Sequence, residues 1–151
     1  MKEKKVWRYW CEYCNKAGLQ KGAMRQHERH CTMNPKRVCR VCAMVQDCPL
    51  EETQQHDPVA LAAMLPDPSE HKNLTEENFE YIDDSIKEPL AKAVQAVREV
   101  CGGCPACIMA ALRQRGIPVP LAEGLDFKKE MQSFWDEINE RKAGLCRDHE
   151  G

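Results

Sequence analysis

The cysteines constrain this chain more than any other feature. Cys11, Cys14, His27 and Cys31 are spaced C-x2-C, then twelve residues, then H-x3-C. Two thiolates followed by a distal His/Cys pair is a spacing that closes a tetrahedral metal site. A segment this short cannot bury enough apolar surface to fold alone, so a bound ion must supply what a core does not. The apolar positions around the ligands are Tyr9, two residues before Cys11, and Met24, three before His27. His30 would give H-x2-H, which is shorter than the usual spacing, whereas Cys31 fits. Cys31 is therefore read as the fourth ligand and His30 as an exposed neighbour.

Over residues 7–33 these features resemble the Cys2His2 zinc-finger family, in its Cys2HisCys variant. The resemblance implies a ββα module with zinc as its ion, a helix over Lys21–His30, Met24 turned inward and His27 on the metal. It also implies that bases are read from the positions held here by Gln20, Ala23 and Gln26. Glutamine suits adenine, but Ala23 is too short to hydrogen-bond a base. One finger reads about three base pairs and buries little surface. The expected contact is therefore of low specificity and made to phosphates, by Lys16, Lys21, Arg25 and Arg29. The competing reading is a finger that docks on protein. Where the family usually places an aromatic, four residues after the second Cys, this chain has Gly18, with Leu19 beside it. The expected miniature core is then Tyr9, Leu19 and Met24.

Charge divides the chain in the same place. Residues 1–42 hold eleven Lys/Arg against three Asp/Glu, a balance of +8, and the remainder carries −10. The near-neutral total hides a basic front joined to an acidic body. The front suits a polyanion and the body repels one. Lys2, Lys4, Lys5 and Arg8 are interleaved with Trp7, Tyr9 and Trp10, a mixture fit for phosphate contact and base stacking, or for a first strand with one aromatic inside. No apolar run approaches the roughly 20 residues that span a bilayer, and no hydrophobic signal segment follows the basic start. The expectation is a cytoplasmic protein whose ten cysteines bind metal rather than pair as disulfides.

A second cysteine group lies further on. Cys39 and Cys42 form one C-x2-C, with Cys48 beyond it, and Cys101, Cys104 and Cys107 are each three apart. The first choice is a structural zinc held by Cys39, Cys42, Cys104 and Cys107, which would pin the early knuckle to the helical body. An iron–sulfur cluster is the alternative, using Cys39, Cys42 and Cys48 with one distal cysteine, or the run 101–107. Cys104-Pro105-Ala106-Cys107 also has the form of a redox pair ahead of a helix, although a helix rather than a strand precedes it.

Few aromatics imply an aliphatic, helical core. Asn34-Pro35-Lys36-Arg37 reads as a short basic linker, and Asp57-Pro58 opens a short helix through Leu65. His56 and His71 lie in loop-like sequence and read as solvated. Thr75 followed by Glu76 and Glu77 reads as a helix start, with Phe79, Ile82 and Ile86 at helical spacing. Pro89 begins the next helix, whose stripe is Leu90, Ala93, Val94, Val97 and Cys101. Gly102-Gly103 ends it. Another helix runs from Cys104 through Leu112 to Gly116, followed by an extended Ile117-Pro118-Val119-Pro120. Asp126 caps a last helix with Phe127, Met131, Phe134 or Trp135, and Ile138 inward, ending at Gly144; Cys146 and His149 follow as unliganded tail residues. No catalytic constellation emerges. The expected architecture is mostly α: a zinc finger over 1–34 and a metal-stapled helical domain over 35–151. The expected role is non-catalytic, with contacts to nucleic acid and to a protein partner and none to membrane.

Overall fold

The computed structural model describes residues 1–45 and 55–147, with side chains through residue 144. Cys48, the side chain of Cys146, and His149 lie outside the described residues. The fold is mostly helical, with two small two-stranded sheets. Strands β1 (Tyr9–Trp10) and β2 (Ala17–Gly18) pair antiparallel and precede α1 (Lys21–His30). Helices α2 (Arg40–Val45) and α3 (Pro58–Ala63) follow. A hairpin of β3 (Lys72–Leu74) and β4 (Glu80–Ile82) leads into α4 (Lys87–Val100), α5 (Pro105–Arg115) and α6 (Phe127–Arg147).

Helix α5 is the centre of the body. It buries Ile108, Ala110, Ala111 and Leu112 almost completely, so it is apolar on most of its circumference, as a helix packed on several sides must be. Leu61 and Leu65 come against it from α3 and its end, Leu90, Val94 and Val97 from α4, and Ile86 from the 3-10 turn before α4. Phe134 of α6 covers the edge. Gly102 and Gly103 have φ of 63° and 80°. Both lie in the left-handed region, which glycine enters without steric cost. They end α4, with Gly103 N–H donating to Arg98 O at 2.9 Å, and reverse the chain so that Cys104 can stand before α5. Gly116, at φ 77°, ends α5 in the same way, and Ile117 N–H donates back to Leu112 O at 3.0 Å. Asp126 caps α6, its Oδ1 accepting from Lys128 N and Lys129 N.

Several expectations fail here. Thr75 starts no helix. Residues 75–79 close a hairpin in which Lys72 pairs with Ile82 and Leu74 with Glu80. Thr75 Oγ1 accepts from Phe79 N at 3.1 Å, and Asn78 takes a positive φ of 64°. A short apolar series at three- and four-residue steps cannot distinguish strand from helix, and here Thr and Asn side-chain chemistry favours the turn. Phe79 is consequently 67 % exposed, Ile82 half-buried, and Ile86 buried on a 3-10 turn. The first turn of α4 begins at Lys87, two residues before Pro89. Helix α3 ends at Ala63, and Val119–Leu121 is a 3-10 turn rather than extended chain. Phe127 is exposed at the start of α6, and that helix runs past Gly144 to Arg147. Among the described residues, no helix is long and apolar enough to cross a membrane.

Truncation of the fully buried Leu112 to alanine is expected to lower the unfolding free energy by about 2–5 kcal/mol. The same change at exposed Leu74 should stay within about 0.5 kcal/mol. Denaturant midpoints check both.

Candidate metal centres

The chain before α1 folds so that side chains from three places meet. Cys11 follows β1, and its N–H donates to Lys16 O at 2.9 Å, closing a tight knuckle that also carries Cys14. His27 and Cys31 come from the last turn of α1 and the residue after it. Glu28, between them, accepts from Glu12 N at 3.0 Å and ties the helix to the knuckle. The donor atoms of Cys11, Cys14, His27 and Cys31 all lie within 4.8 Å of one another, with Cys14 Sγ 3.3 Å from His27 Nε2. Cys11 and Cys31 are buried together with Met24, and Tyr9 packs against them.

The miniature core differs from expectation at Leu19, which is 62 % exposed. Gly18 explains the change: a Cβ there would come 3.3 Å from Met24 Cε. The methionine side chain occupies the space above the glycine, so no aromatic or Leu19 side chain is needed. His30 also differs. It is half-buried, and its Nδ1–H donates to Val38 O at 2.7 Å.

The second group joins two distant segments. Cys39 precedes α2 and Cys42 lies within it; Cys104 caps α5 and Cys107 stands in its first turn. The four sulfurs also fall within 4.8 Å of one another, and all four residues are buried. Cys39 Sγ is 3.7 Å from Cys104 Sγ, and Cys42 Sγ is 3.6 Å from Cys107 Sγ. A disulfide would bring two sulfurs to about 2.05 Å. A single ion with bonds of about 2.3 Å would hold them at tetrahedral edges of about 3.8 Å. The observed spacing therefore fits four ligands of one ion.

Electrostatics lead to the same donor chemistry. Within the second group, Cys39 is held below the ordinary thiol range, first by the hydrogen bond from Cys104, and Cys104 is held below it by Cys107. Cys42 and Cys107 are held above it, chiefly by Cys104. Four buried thiolates require a cation. In the first group the Lys16 backbone lowers Cys14, whereas burial pushes Cys31 up to about 11. A metal would draw the proton from such a buried thiol as well.

Two residues around the second group were missed by sequence reasoning. Gln55 accepts from Cys39 N at 2.9 Å and donates to Cys39 O at 3.3 Å, fixing the backbone that carries the thiol. His56, expected in solvent, places Nδ1 3.7 Å from Cys42 Sγ and 3.8 Å from Cys107 Sγ. From there an N–H can donate to either sulfur, the outer-shell support that metal-bound thiolates commonly receive. The only sequence signal was position, immediately before the Asp57-Pro58 helix start. Cys101, by contrast, is buried apart from the four, with its thiol directed at the backbone oxygens of Arg98 and Cys104, and burial pushes it up to about 11.

Of the residues expected to touch nucleic acid, Lys16, Gln20, Lys21, Arg25, Gln26 and Arg29 are all exposed. Comparison of the chain with protein-family models, with curated proteins and with solved structures finds no match.

Cys11→Ala or His27→Ala is expected to melt the segment around α1 while leaving the body helical, as read by circular dichroism. Cys104→Ala should instead lower the thermal transition of the body and cost one metal equivalent. Unchanged stability with unchanged metal content would remove Cys104 from the ligand set.

Proposed function

We propose that this is a non-catalytic, zinc-binding protein of the cytoplasm. In this reading its basic N-terminal module, residues 1–34, contacts nucleic acid, and its helical body, residues 35–151, supports that module and meets a protein partner. Zinc is held by Cys11, Cys14, His27 and Cys31 in a finger-like ββα unit, and by Cys39, Cys42, Cys104 and Cys107 in the body. Sulfur–sulfur spacing of 3.6 and 3.7 Å supports a single ion at the second centre. An iron–sulfur cluster would interpose several irons and sulfides, and so hold its ligands farther apart.

One observation carries the nucleic-acid reading. Among the described residues, none of the eleven Lys/Arg of residues 1–42 is paired with a carboxylate, while ion pairs occur throughout the body, such as Lys87 with Glu123 and Arg141 with Glu137. Cations left unpaired in this way are what a polyanion neutralises. Trp7 and Trp10, 84 % and 61 % exposed, add faces on which bases can stack. Lys16, Lys21, Arg25 and Arg29 would meet phosphates, with Gln20 and Gln26 the side chains able to reach bases. A protein partner for the body is supported by Leu74, Phe79 and Tyr81, large apolar side chains that are each exposed on the β3–β4 hairpin.

Elemental analysis should give two zinc ions per chain, one for each ligand group. Brown protein absorbing in the visible would replace zinc with iron–sulfur. Filter binding of an oligonucleotide should weaken steeply between about 50 and 200 mM salt. Binding indifferent to salt, or none, would move the function to protein docking.

A further inference from the structure

We propose that the nucleic acid is an unpaired strand whose backbone lies in a groove between the N-terminal module and α5, with Arg40 and Arg113 of the body completing the phosphate contacts. This rests on the nucleic-acid reading above and assigns it a place. The groove has a volume of about 400 Å³, and its walls include Lys16, Gln26, His30, Thr32, Arg40 and Arg113. The three full cations come from three separate segments: the metal knuckle, the start of α2 and the last turn of α5. Among the described residues, no carboxylate lines the groove, and none of the three cations is ion-paired. A phosphodiester presents one negative charge and only acceptor oxygens, which matches walls of guanidinium, ammonium and amide donors.

The groove is built rather than incidental. Gln114 Nε2 donates to Thr32 O at 2.9 Å and to Asn34 O at 3.0 Å, joining the end of α1 to α5. Arg113 Nη1 donates to Thr32 Oγ1 at 3.1 Å, which steers the guanidinium along the junction. Trp10 pairs in the β1–β2 sheet with Ala17, the residue after Lys16. Trp10 is itself exposed, and stacking on such an indole requires bases free of a partner strand. Both metal centres hold the walls: Lys16 is two residues beyond Cys14, Arg40 follows Cys39, and Arg113 rides on the helix that begins at Cys104. The segments that carry the groove walls are thus the same ones that carry the two ligand groups.

The test is anisotropy of a labelled, mixed-sequence single-stranded oligonucleotide against the zinc-loaded full chain over about 50–200 mM salt. Arg40→Gln with Arg113→Gln should keep metal content and circular dichroism while lowering the salt slope by about 1.4, or about 0.7 for each lost contact. Lys128→Gln removes one charge from an exposed position on α6 outside the groove lining, and should bind as the wild type does. If the wild type binds but the double variant keeps its slope, the groove is wrong and the nucleic-acid reading stands. If the wild type does not bind, both fall. A duplex bound more tightly than the single strand, or polyglutamate bound more tightly than either, overturns the assignment to an unpaired strand.

Discussion

The meeting of four buried cysteines from two distant segments, in a geometry compatible with one metal ion, is the constraint on which the rest of this structure depends. Cys39 and Cys42 meet Cys104 and Cys107 across a sequence separation of 65 residues. The four sulfurs are themselves members of the main apolar cluster, beside Leu61, Leu90 and Ile108. Their site is thus continuous with the core. Burial of four thiolates is favourable only if their charge is cancelled, and one divalent ion would cancel it while fixing the angle between two segments. Helix α5 passes this constraint along its length. Its first turn bears two sulfurs, its middle is buried on several sides, and its last turn grips Thr32 and Asn34.

Both ligand groups were legible because metal chemistry demands particular residue types at particular steps. Helices α1, α4 and α5 were legible because apolar periodicity there agrees with Gly and Pro punctuation. The β3–β4 hairpin was not. Phe79, Ile82 and Ile86 carry a helical step by accident, and the decisive features, Thr75 Oγ1 and the left-handed Asn78, act through a turn only five residues wide. Gln55 and His56 were illegible for a different reason. Nothing near them in sequence records that α5 brings Cys107 alongside. Leu19 was misplaced because the resemblance supplied an aromatic site, while the actual filler, Met24, approaches from the helix above Gly18. Phe127 was misplaced because the apolar stripe of α6 begins one turn later than its capping residue suggests.

The charge division gains meaning once the fold is known. Acids of the body are engaged where they face cations, as Glu130 is by Arg98 between α4 and α6 and Glu123 is by Lys87. Among the described residues, no carboxylate lines the groove. A polyanion of the kind proposed would be steered by such a division before contact, an effect that fades with salt.

The amide of Gln114 makes a modest pair of hydrogen bonds, but it spans two elements that a flexible tether would leave free to swing. With those carbonyls already held, a ligand of the kind proposed would meet walls at their final separation. Tandem modules on loose tethers lose motional freedom when they close on a target, about 0.5–1.5 kcal/mol for every side chain that must be immobilised. Here much of that ordering is completed during folding, so contacts made by only a few side chains can suffice for appreciable affinity.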